Sequence, residues 1–427
     1  MTAQPGTGGT QPGAPPLPAA TVRLVRTLWL AMLLEWAGAG AMLPLLPLYV
    51  RRQGGSDAVV GAVMAAYFVG AFVFQYGAGR VSDRVGRLPV LLGGLAVYAL
   101  GALLFLVPGP AGLDVVFRGL QGAGAGASGV AALAMIAHAV PLSHRGRATA
   151  GVYGAELGGL AVGPVLGSIA GLGAMHWLFV AAACASIVAM IPVVMVGAAR
   201  RGPGPQPAGP PSDQHVPRAR LGRPLAGALV AGLLIGATSG VYEACWSLLM
   251  TRHGANQWEI GISWTLFALP FAAMTRPAGW LADHLDRRWL VAGSLAWSVG
   301  FCATYPFLPG FVPLMVLSVW ESIGFSLALP ACQSILGQDA EPSAHGRAQG
   351  MFAASQTGAT ALAAACAGAL FGLAPWMPFV SVAGVCAVMV AAIVVIWRPV
   401  PGRVAPSLVG GPGVAGAERS PLAPPAL

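Results

Sequence analysis

The sequence contains no lysine, and only 9% of its 427 residues are charged. Ordinary globular proteins contain about 25% charged residues, so this composition argues against a soluble domain. A chain without lysine cannot form the GxxxxGK[ST] loop that holds nucleotide phosphates. The missing lysine therefore argues against an ATP-driven machine built on this chain.

Sequence patterns typical of metal sites are also missing. The six Cys lie in apolar stretches and never occur as CxxC, and the seven His include no HExxH. We therefore expect no metal and no cofactor, and we interpret the Cys as small packing residues. The alternating segments of about ten residues that build membrane β-barrels are absent as well.

Long apolar segments fill most of the chain. Hydrophobic residues make up 56% of it, the mean hydropathy is +0.73, and there are 60 Gly, which is commoner in membrane helices than in soluble ones. About 20 apolar residues are needed to cross a bilayer as a helix. The sequence therefore predicts an all-α polytopic membrane protein with twelve transmembrane helices, at 26–50, 57–80, 88–108, 113–140, 147–171, 176–198, 224–250, 257–280, 289–308, 311–337, 347–371 and 376–397.

One pattern occurs twice, at an offset of 200 residues. The stretch 79–87 reads GRVSDRVGR and the stretch 279–287 reads GWLADHLDR, and each lies between two apolar segments. The repeat predicts two pseudo-symmetric six-helix bundles with a site near the bilayer midplane between them. We expect the bundles at 22–198 and 224–398, a Pro-rich cytoplasmic linker at 199–223, and disordered cytoplasmic tails at 1–21 and 399–427.

The arginines indicate the orientation of the chain. Nineteen of the 23 Arg fall on the face that would carry both termini, three on the other face, and Arg118 lies inside a helix. Arginine-rich loops face the cytoplasm. We therefore expect a multi-pass protein of the plasma (cytoplasmic) membrane with both termini cytoplasmic, and we attribute the net charge of +9 to topology and not to nucleic acid.

Four motifs resemble one transporter family. Gly79, Asp83, Arg84, Gly86 and Arg87 match the loop signature GxxxDRxGR of the major facilitator superfamily. Arg118, Gln121, Gly122 and Gly124 resemble its fourth-helix motif, and Gly159, Gly163, Pro164 and Gly167 resemble the fifth-helix motif of its drug/proton antiporter branch. Leu43–Pro47 is similar to the end of the first helix in that branch. The second loop copy departs from the pattern at His284 and Asp286, and Ser168 stands where the fifth-helix motif has a second glycine.

The resemblance implies roles for these motifs. Asp83, Arg84 and Arg87, with Gly279, Asp283 and Arg287 in the second copy, would form a cytoplasmic gate whose acid faces the helix that starts near Arg347. The alternative is a solvated turn that serves topology alone. The glycines of the fifth helix lie four residues apart, on one ridge that suits close helix packing. They would either seal and pivot against the second half or serve packing only.

Five charged residues interrupt otherwise apolar helices: Glu35, Arg118, Glu156, Glu243 and Glu321. Each costs at least about 2.5–3.5 kcal/mol at mid-membrane on insertion scales, and a buried Glu lowers that cost by binding a proton. We single out Glu35 and Arg118 for proton coupling, by resemblance to the family. Gln121 and Glu321, 200 residues apart, are expected to face one cavity, and Glu243 with Trp246 suits a lipophilic cation. The alternative, strongest for Glu156, is a buried structural pair.

These observations favour proton-coupled efflux of small lipophilic compounds or drugs by alternating access, by a protein that works as a monomer and is not an enzyme. An importer or exchanger of a sugar, amino acid or other metabolite on the same fold is the first alternative. A membrane-embedded enzyme would need a convergent catalytic cluster. A channel would not need the duplicated halves.

Overall fold

The computed structural model describes residues 17–199, 222–338 and 342–400 of the chain. Residues 1–16 and 401–427 of the predicted tails and nearly all of the predicted linker lie outside these ranges, as do the side chains of Asp83, Asp283 and Arg347. The predicted disordered tail is wrong for residues 19–21, because the first helix already begins at Ala19. The described residues form thirteen α-helices, with single 3₁₀ turns at 172–174 and 305–307. The helices are α1 (Ala19–Met42), α2 (Leu46–Arg52), α3 (Asp57–Val85), α4 (Arg87–Leu104), α5 (Leu113–Ala139), α6 (Leu142–Ala170), α7 (Met175–Ala199), α8 (Arg223–Arg252), α9 (Gln257–His284), α10 (Arg287–Thr304), α11 (Phe311–Gln338), α12 (Pro342–Leu373) and α13 (Met377–Trp397).

The number of membrane spans differs from the twelve expected. Within the described ranges, ten helices are long and apolar enough to cross a bilayer, and α1 with α2 counts as an eleventh, bent by 42°. The remaining long helix, α9, has 28 residues, with Pro270 and Pro277 in its interior, and is not one of these eleven. It nevertheless joins the end of α8 to the start of α10.

One face of the bundle, which we call the terminal face, carries the start of α8, the start of α10 and the end of α13. Arg288 Nη1 donates to the carbonyl oxygens of Arg398 and Val400 at 2.9 and 2.7 Å, and Trp397 Nε1 donates to that of Pro224 at 3.3 Å. Asp286 accepts from Arg288, and this hydrogen bond lowers the pKa of the Asp286 carboxyl. The other end of the bundle is the opposite face.

Helix packing follows the repeat in the sequence. In the first half α1 contacts α6 and α7, and α5 contacts α3 and α4; in the second half α8 contacts α12 and α13, and α11 contacts α9 and α10. The two halves meet mainly through α3 with α12 and through α6 with α9. The arrangement agrees with two similar bundles, whose exact boundaries stay a prediction.

The buried apolar core is divided unevenly along the bundle. One cluster joins both halves and includes Met64 and Phe179 of the first half and Trp246 and Phe371 of the second. Two further clusters each belong to a single half, one around Leu28 and the other containing Leu234, Trp397 and Val400. Since Trp397 and Val400 lie at the terminal face, the second half has its own core there. The shared core includes Val50, Met250 and Ala255, beside the α2–α3 and α8–α9 connections, and so lies toward the opposite face.

The sequence predicted a loop for the polar stretch that begins at Gly79, but in the structure this stretch is almost entirely helical. Helix α3 continues to Val85, α4 begins at Arg87, and Gly86 alone makes the turn, with φ of 95°. Only glycine adopts such a φ without strain, so one residue suffices to reverse the chain. In the second copy α9 continues to His284, and the turn is Leu285–Asp286.

Candidate functional site

Glu35 lies in the middle of α1 and is 2% exposed. Its two carboxyl oxygens lie 3.0 and 3.1 Å from the hydroxyl of Ser128 on α5, which is its hydrogen-bond partner among the described residues. An ionised carboxylate held in this way, without a cation, is costly to bury. A protonated carboxyl is not, because it can itself donate a hydrogen bond to the same hydroxyl.

Arg118 is buried in α5 and does not pair with Glu35. Its Nη1 donates to Gln121 Oε1 at 2.8 Å, and its guanidinium carbon lies 4.4 Å from the ring centroid of Tyr67 on α3. No carboxylate among the described residues forms a salt bridge with it, and its Nε has no partner there. The positive charge therefore contacts an amide and an aromatic ring directly and interacts at longer range with Glu243 of the second half. Sequence reasoning grouped Glu35 with Arg118, but the fold gives each its own partners.

Gln121 is fully buried beside Arg118. Its Nε2 lies 3.8 Å from the sulfur of Met42. Gln121 does not line the cavity that Glu321 lines, so the expectation that both face one cavity is wrong. The 200-residue repeat relates their positions along the chain, but Gln121 is fully buried whereas Glu321 lines the second-half cavity.

A cavity of about 290 Å³ lies almost entirely in the second half. Helices α8, α9, α11 and α12 line it, and α6 closes it with Leu157 and Leu160. Its volume is close to the lower end of the range of small-molecule sites, and such sites combine apolar walls with few polar groups. The aromatic wall consists of Tyr242, Trp246, Trp264, Phe267, Phe271 and Phe325.

Glu243 and Glu321 line this cavity, and so does Trp246. Trp246 Nε1 donates to Ser263 Oγ at 2.9 Å, which fixes the indole ring. Glu243 has no hydrogen-bond partner among the described residues, and its Oε2 is buried. Glu243 and Trp246 thus share one wall, in agreement with their spacing in the sequence.

Glu321, in contrast, is surrounded by hydroxyl groups. Its Oε1 accepts from Tyr242 at 2.8 Å and from Ser298 at 2.5 Å, and its Oε2 accepts from Tyr305 at 2.6 Å. The donors come from α8, α10 and the 3₁₀ turn that follows α10. Glu321 therefore ties three segments of the second half together.

The remaining acid, Glu156, is half-buried on α6 and makes no hydrogen bond or salt bridge with another described residue. The structural pair considered for it is therefore not formed among these residues. It does not line the second-half cavity, although its neighbour Leu157 does.

The residues of the two loop copies lie at the terminal face. Gly79 and Gly279 have open space around them, Arg84 is exposed, and Arg287 is buried, with its Nε 2.7 Å from the carbonyl oxygen of Ala282. A close contact with a neighbouring backbone therefore does not account for the glycine at either position. The acids and Arg347, on which the predicted gate depends, lie outside the described side chains, so the gate stays a prediction.

The glycine ridge of α6 packs against α1, in its own half, and not against the second half. A Cβ atom on Gly159 would lie 2.6 Å from Ala37 N, and one on Gly167 would lie 1.7 Å from Ala41 O. A Cβ atom on Gly163 would lie 2.6 Å from Ala37 O. Of the two roles left open for these glycines, the contacts support helix packing and not a seal against the second half, because their shared face brings two backbones of the same half together.

Contacts between α6 and α9 come from the neighbouring face of α6. Thr265 Oγ1 donates to the carbonyl oxygen of Ala161 at 2.7 Å. Ser168 donates to the carbonyl oxygen of Pro164, and both lie against Gly261. Pro164 therefore belongs to the interface between the halves even though the glycines beside it do not.

Several residues of the site were missed in the sequence. Ser128, Tyr242 and Tyr305 hold the buried acids, but a hydroxyl in an apolar helix is too common to single out. The aromatic wall left a clearer signal. Trp264, Phe267 and Phe271 are spaced by three and four residues, which places them on one face of α9.

Comparison with known proteins adds to this geometry. A sequence model described as Major Facilitator Superfamily matches residues 28–251 and 227–426. The chain is 32% identical over 167 residues to the inner membrane transport protein YajR of Escherichia coli (strain K12), a match that covers 38% of this chain and 36% of that protein. It is 28% identical over 407 residues to the tetracycline resistance protein, class E, of Escherichia coli, covering 89% of this chain and 96% of that protein.

Solved structures resemble the whole bundle. A bacterial homologue of the human lysosomal transporter Spinster, in an inward-facing and occupied conformation, superposes with a TM-score of 0.70. The match covers 93% of this chain and 100% of that chain at 13% identity. Likeness at this identity concerns the fold alone.

Proposed function

The chain belongs to the major facilitator superfamily and is a membrane transporter, not an enzyme, and from this premise we propose that it exports small lipophilic compounds in exchange for protons. The observation that carries the proposal is the pair of sites in the two halves. A buried carboxyl with a single hydroxyl partner, Glu35, lies in the first half, and an aromatic cavity with an acid lies in the second.

The direction of transport is inferred from the relative that aligns over most of the chain. That protein is named for resistance to tetracycline. A transporter that confers resistance must lower the concentration of the compound inside the cell. Outward transport of a drug-like molecule is therefore the direction that this similarity favours, and the aromatic cavity has the chemistry to hold such a molecule.

Proton coupling is proposed for Glu35, with Arg118 as the fixed charge of the same half. A carboxyl at mid-membrane that alternates between a protonated and an ionised form carries one proton per cycle if it meets water from each side in turn. Ser128 can serve both forms, because a hydroxyl both donates and accepts. Glu156, half-buried on α6, is the second candidate for this role.

Alternating access is the mechanism that we propose. The halves share one apolar core, while the second half has a separate core at the terminal face. Outward opening would then require the bond between Thr265 and Ala161 to break and the terminal face to close. We propose that Asp83, with Arg84, Arg87 and Arg347, holds that face closed, and that it faces the cytoplasm.

The test is proton release from inverted membrane vesicles that hold a stable pH gradient. Lipophilic cations, neutral drugs and sugars are added one at a time, and vesicles without the protein are the control. Collapse of the gradient by a drug-like compound only when the protein is present supports the proposal. Collapse only by a sugar or another metabolite would favour the importer or exchanger and refute efflux.

The gate is tested in the same vesicles with Asp83→Asn. We expect transport to be lost while the amount of protein inserted in the membrane stays unchanged, because the substitution removes one charge at a helix end. Near-normal transport in this variant would exclude Asp83 from the gate.

A further inference from the structure

The two acids of the second-half cavity are not equivalent. Glu321 accepts hydrogen bonds from three hydroxyls, at 2.5 to 2.8 Å. A carboxylate whose oxygens are occupied in this way has little capacity left for a ligand, and a ligand that approached it would first have to displace a tyrosine or a serine. Glu321 therefore serves the architecture of the cavity and not the recognition of its contents.

Glu243 has the opposite environment. It lines the same cavity, yet neither of its oxygens accepts a hydrogen bond from a described residue, and Oε2 is buried without a partner. Buried polar groups are nearly always satisfied in proteins, so an orphaned carboxyl that faces a cavity requires a partner from outside the chain. Arg118, the buried cation of the first half, is near enough to act on Glu243 electrostatically, but among the described residues it forms no salt bridge with Glu243, and its guanidinium lies over Tyr67.

The walls around Glu243 favour one kind of partner. Trp246 is held by its bond to Ser263, and its ring meets that of Tyr242 edge to face, with centroids 5.9 Å apart. Trp264 and Phe267 extend the wall along α9. Fixed aromatic faces attract a cation, most strongly where water is excluded. A single carboxylate among such rings matches a molecule that carries one positive charge and an apolar body.

We propose that Glu243 is the counter-ion for one positive charge on the substrate, so that the cavity selects aromatic monocations over neutral molecules of the same shape and gains nothing from a second charge. The inference rests on the proposed function, since it takes this cavity as the transport site. It assigns to Glu243 a specificity role that Glu321, in the same cavity, does not share.

Binding of three probes to the purified full-length chain in lipid nanodiscs tests the proposal, with isothermal titration calorimetry and no proton gradient. The probes are benzyltrimethylammonium, its uncharged isostere neopentylbenzene, and a dication, para-xylylene-bis(trimethylammonium). We expect the monocation to bind about tenfold more tightly than the neutral isostere and at least as tightly as the dication. Equal affinities for the monocation and the isostere would overturn the proposal.

Three variants assign the preference to a residue. In Glu243→Gln the ratio of the two affinities is expected to fall to about one, and in Glu243→Asp most of the preference should remain. Glu321→Gln is expected to change both affinities by the same factor. Glu259→Gln is the matched control, because Glu259 caps α9 at the opposite face. A preference that survives in Glu243→Gln, or that disappears in Glu321→Gln, would refute the assignment.

Failure of this inference is distinguishable from failure of the proposed function. If a cationic drug releases protons from vesicles equally well with the parent protein and with Glu243→Gln, efflux stands and the charge assignment falls. If the monocation preference is found but no compound releases protons, the assignment stands and the proton coupling falls.

Discussion

Replacing Gly167 by Ala should force α6 away from α1. A Cβ atom at this position would lie 1.7 Å from the carbonyl oxygen of Ala41, whereas a carbon and an oxygen that are not bonded approach to about 3.3 Å. The obstructing atom belongs to the backbone, so no change of rotamer relieves the clash. The two helices must separate by more than an ångström, or one of them must bend.

The magnitude follows from two opposing effects. Overfilling a packed interior costs about 1–3 kcal/mol, occasionally more, and a clash this deep belongs at the upper end. Alanine in a helix interior is favoured over glycine by about 1 kcal/mol. The net loss in Gly167→Ala is therefore about 2 kcal/mol. Gly154 lies in the same helix with no atom within 4 Å of its Cβ position, so Gly154→Ala retains only the gain.

The assay is the thermal unfolding midpoint of the purified protein in a mild detergent, with the parent protein and both variants measured side by side. Gly154→Ala should unfold at or above the temperature of the parent, and Gly167→Ala clearly below it. Because both changes add the same methyl group to the same helix, their difference reports the packing of α6 on α1. Equal midpoints for the two variants would refute this account of the ridge.

Other predictions concern the charged and polar residues. Glu35→Gln should abolish the pH dependence of transport in vesicles, because an amide cannot carry a proton; an unchanged pH profile would remove Glu35 from the mechanism. Trp246→Phe should destabilise the protein by about 1 kcal/mol more than Trp264→Phe, since Trp246 Nε1 binds Ser263 whereas Trp264 Nε1 has no partner among the described residues; equal unfolding midpoints would contradict this. Asp286→Asn should lower the unfolding midpoint at pH 7. Its pKa is lowered in the folded protein, so its stabilisation is present above the ordinary value of 3.8 and declines below it. The difference from the parent should therefore narrow as the pH falls below that value, and a difference that grew in acid would refute the role of this carboxylate.

Most of the architecture could be predicted because bilayer crossing depends on local composition. Every predicted helix has a counterpart in the structure, and the duplicated motifs already indicated two similar halves. The exceptions have local causes. The polar stretch after Gly79 suggests a loop, but polar residues at the end of a helix that leaves the bilayer are as compatible with helix as with turn. The helix therefore continues to Val85, and Gly86 alone reverses the chain.

The site was predictable only as a set of residue types. Glu35, Glu243 and Glu321 stand out in apolar helices because a charge in a bilayer needs a reason, and periodicity placed Trp246 beside Glu243. Their partners come from other helices. Ser128 is 93 positions from Glu35, and no pattern in a single sequence reports such a contact.

The sequence by itself determined the class of the molecule: an all-helical membrane protein with duplicated halves and few buried charges, because these properties depend on composition and spacing. The tertiary structure alone decided which acid is free and which is saturated. Glu243 and Glu321 look alike in the chain, but hydroxyls from three segments converge on Glu321 and none on Glu243. Packing between distant segments sets that difference, because it brings three hydroxyl donors to the Glu321 carboxyl and brings no described donor to Glu243.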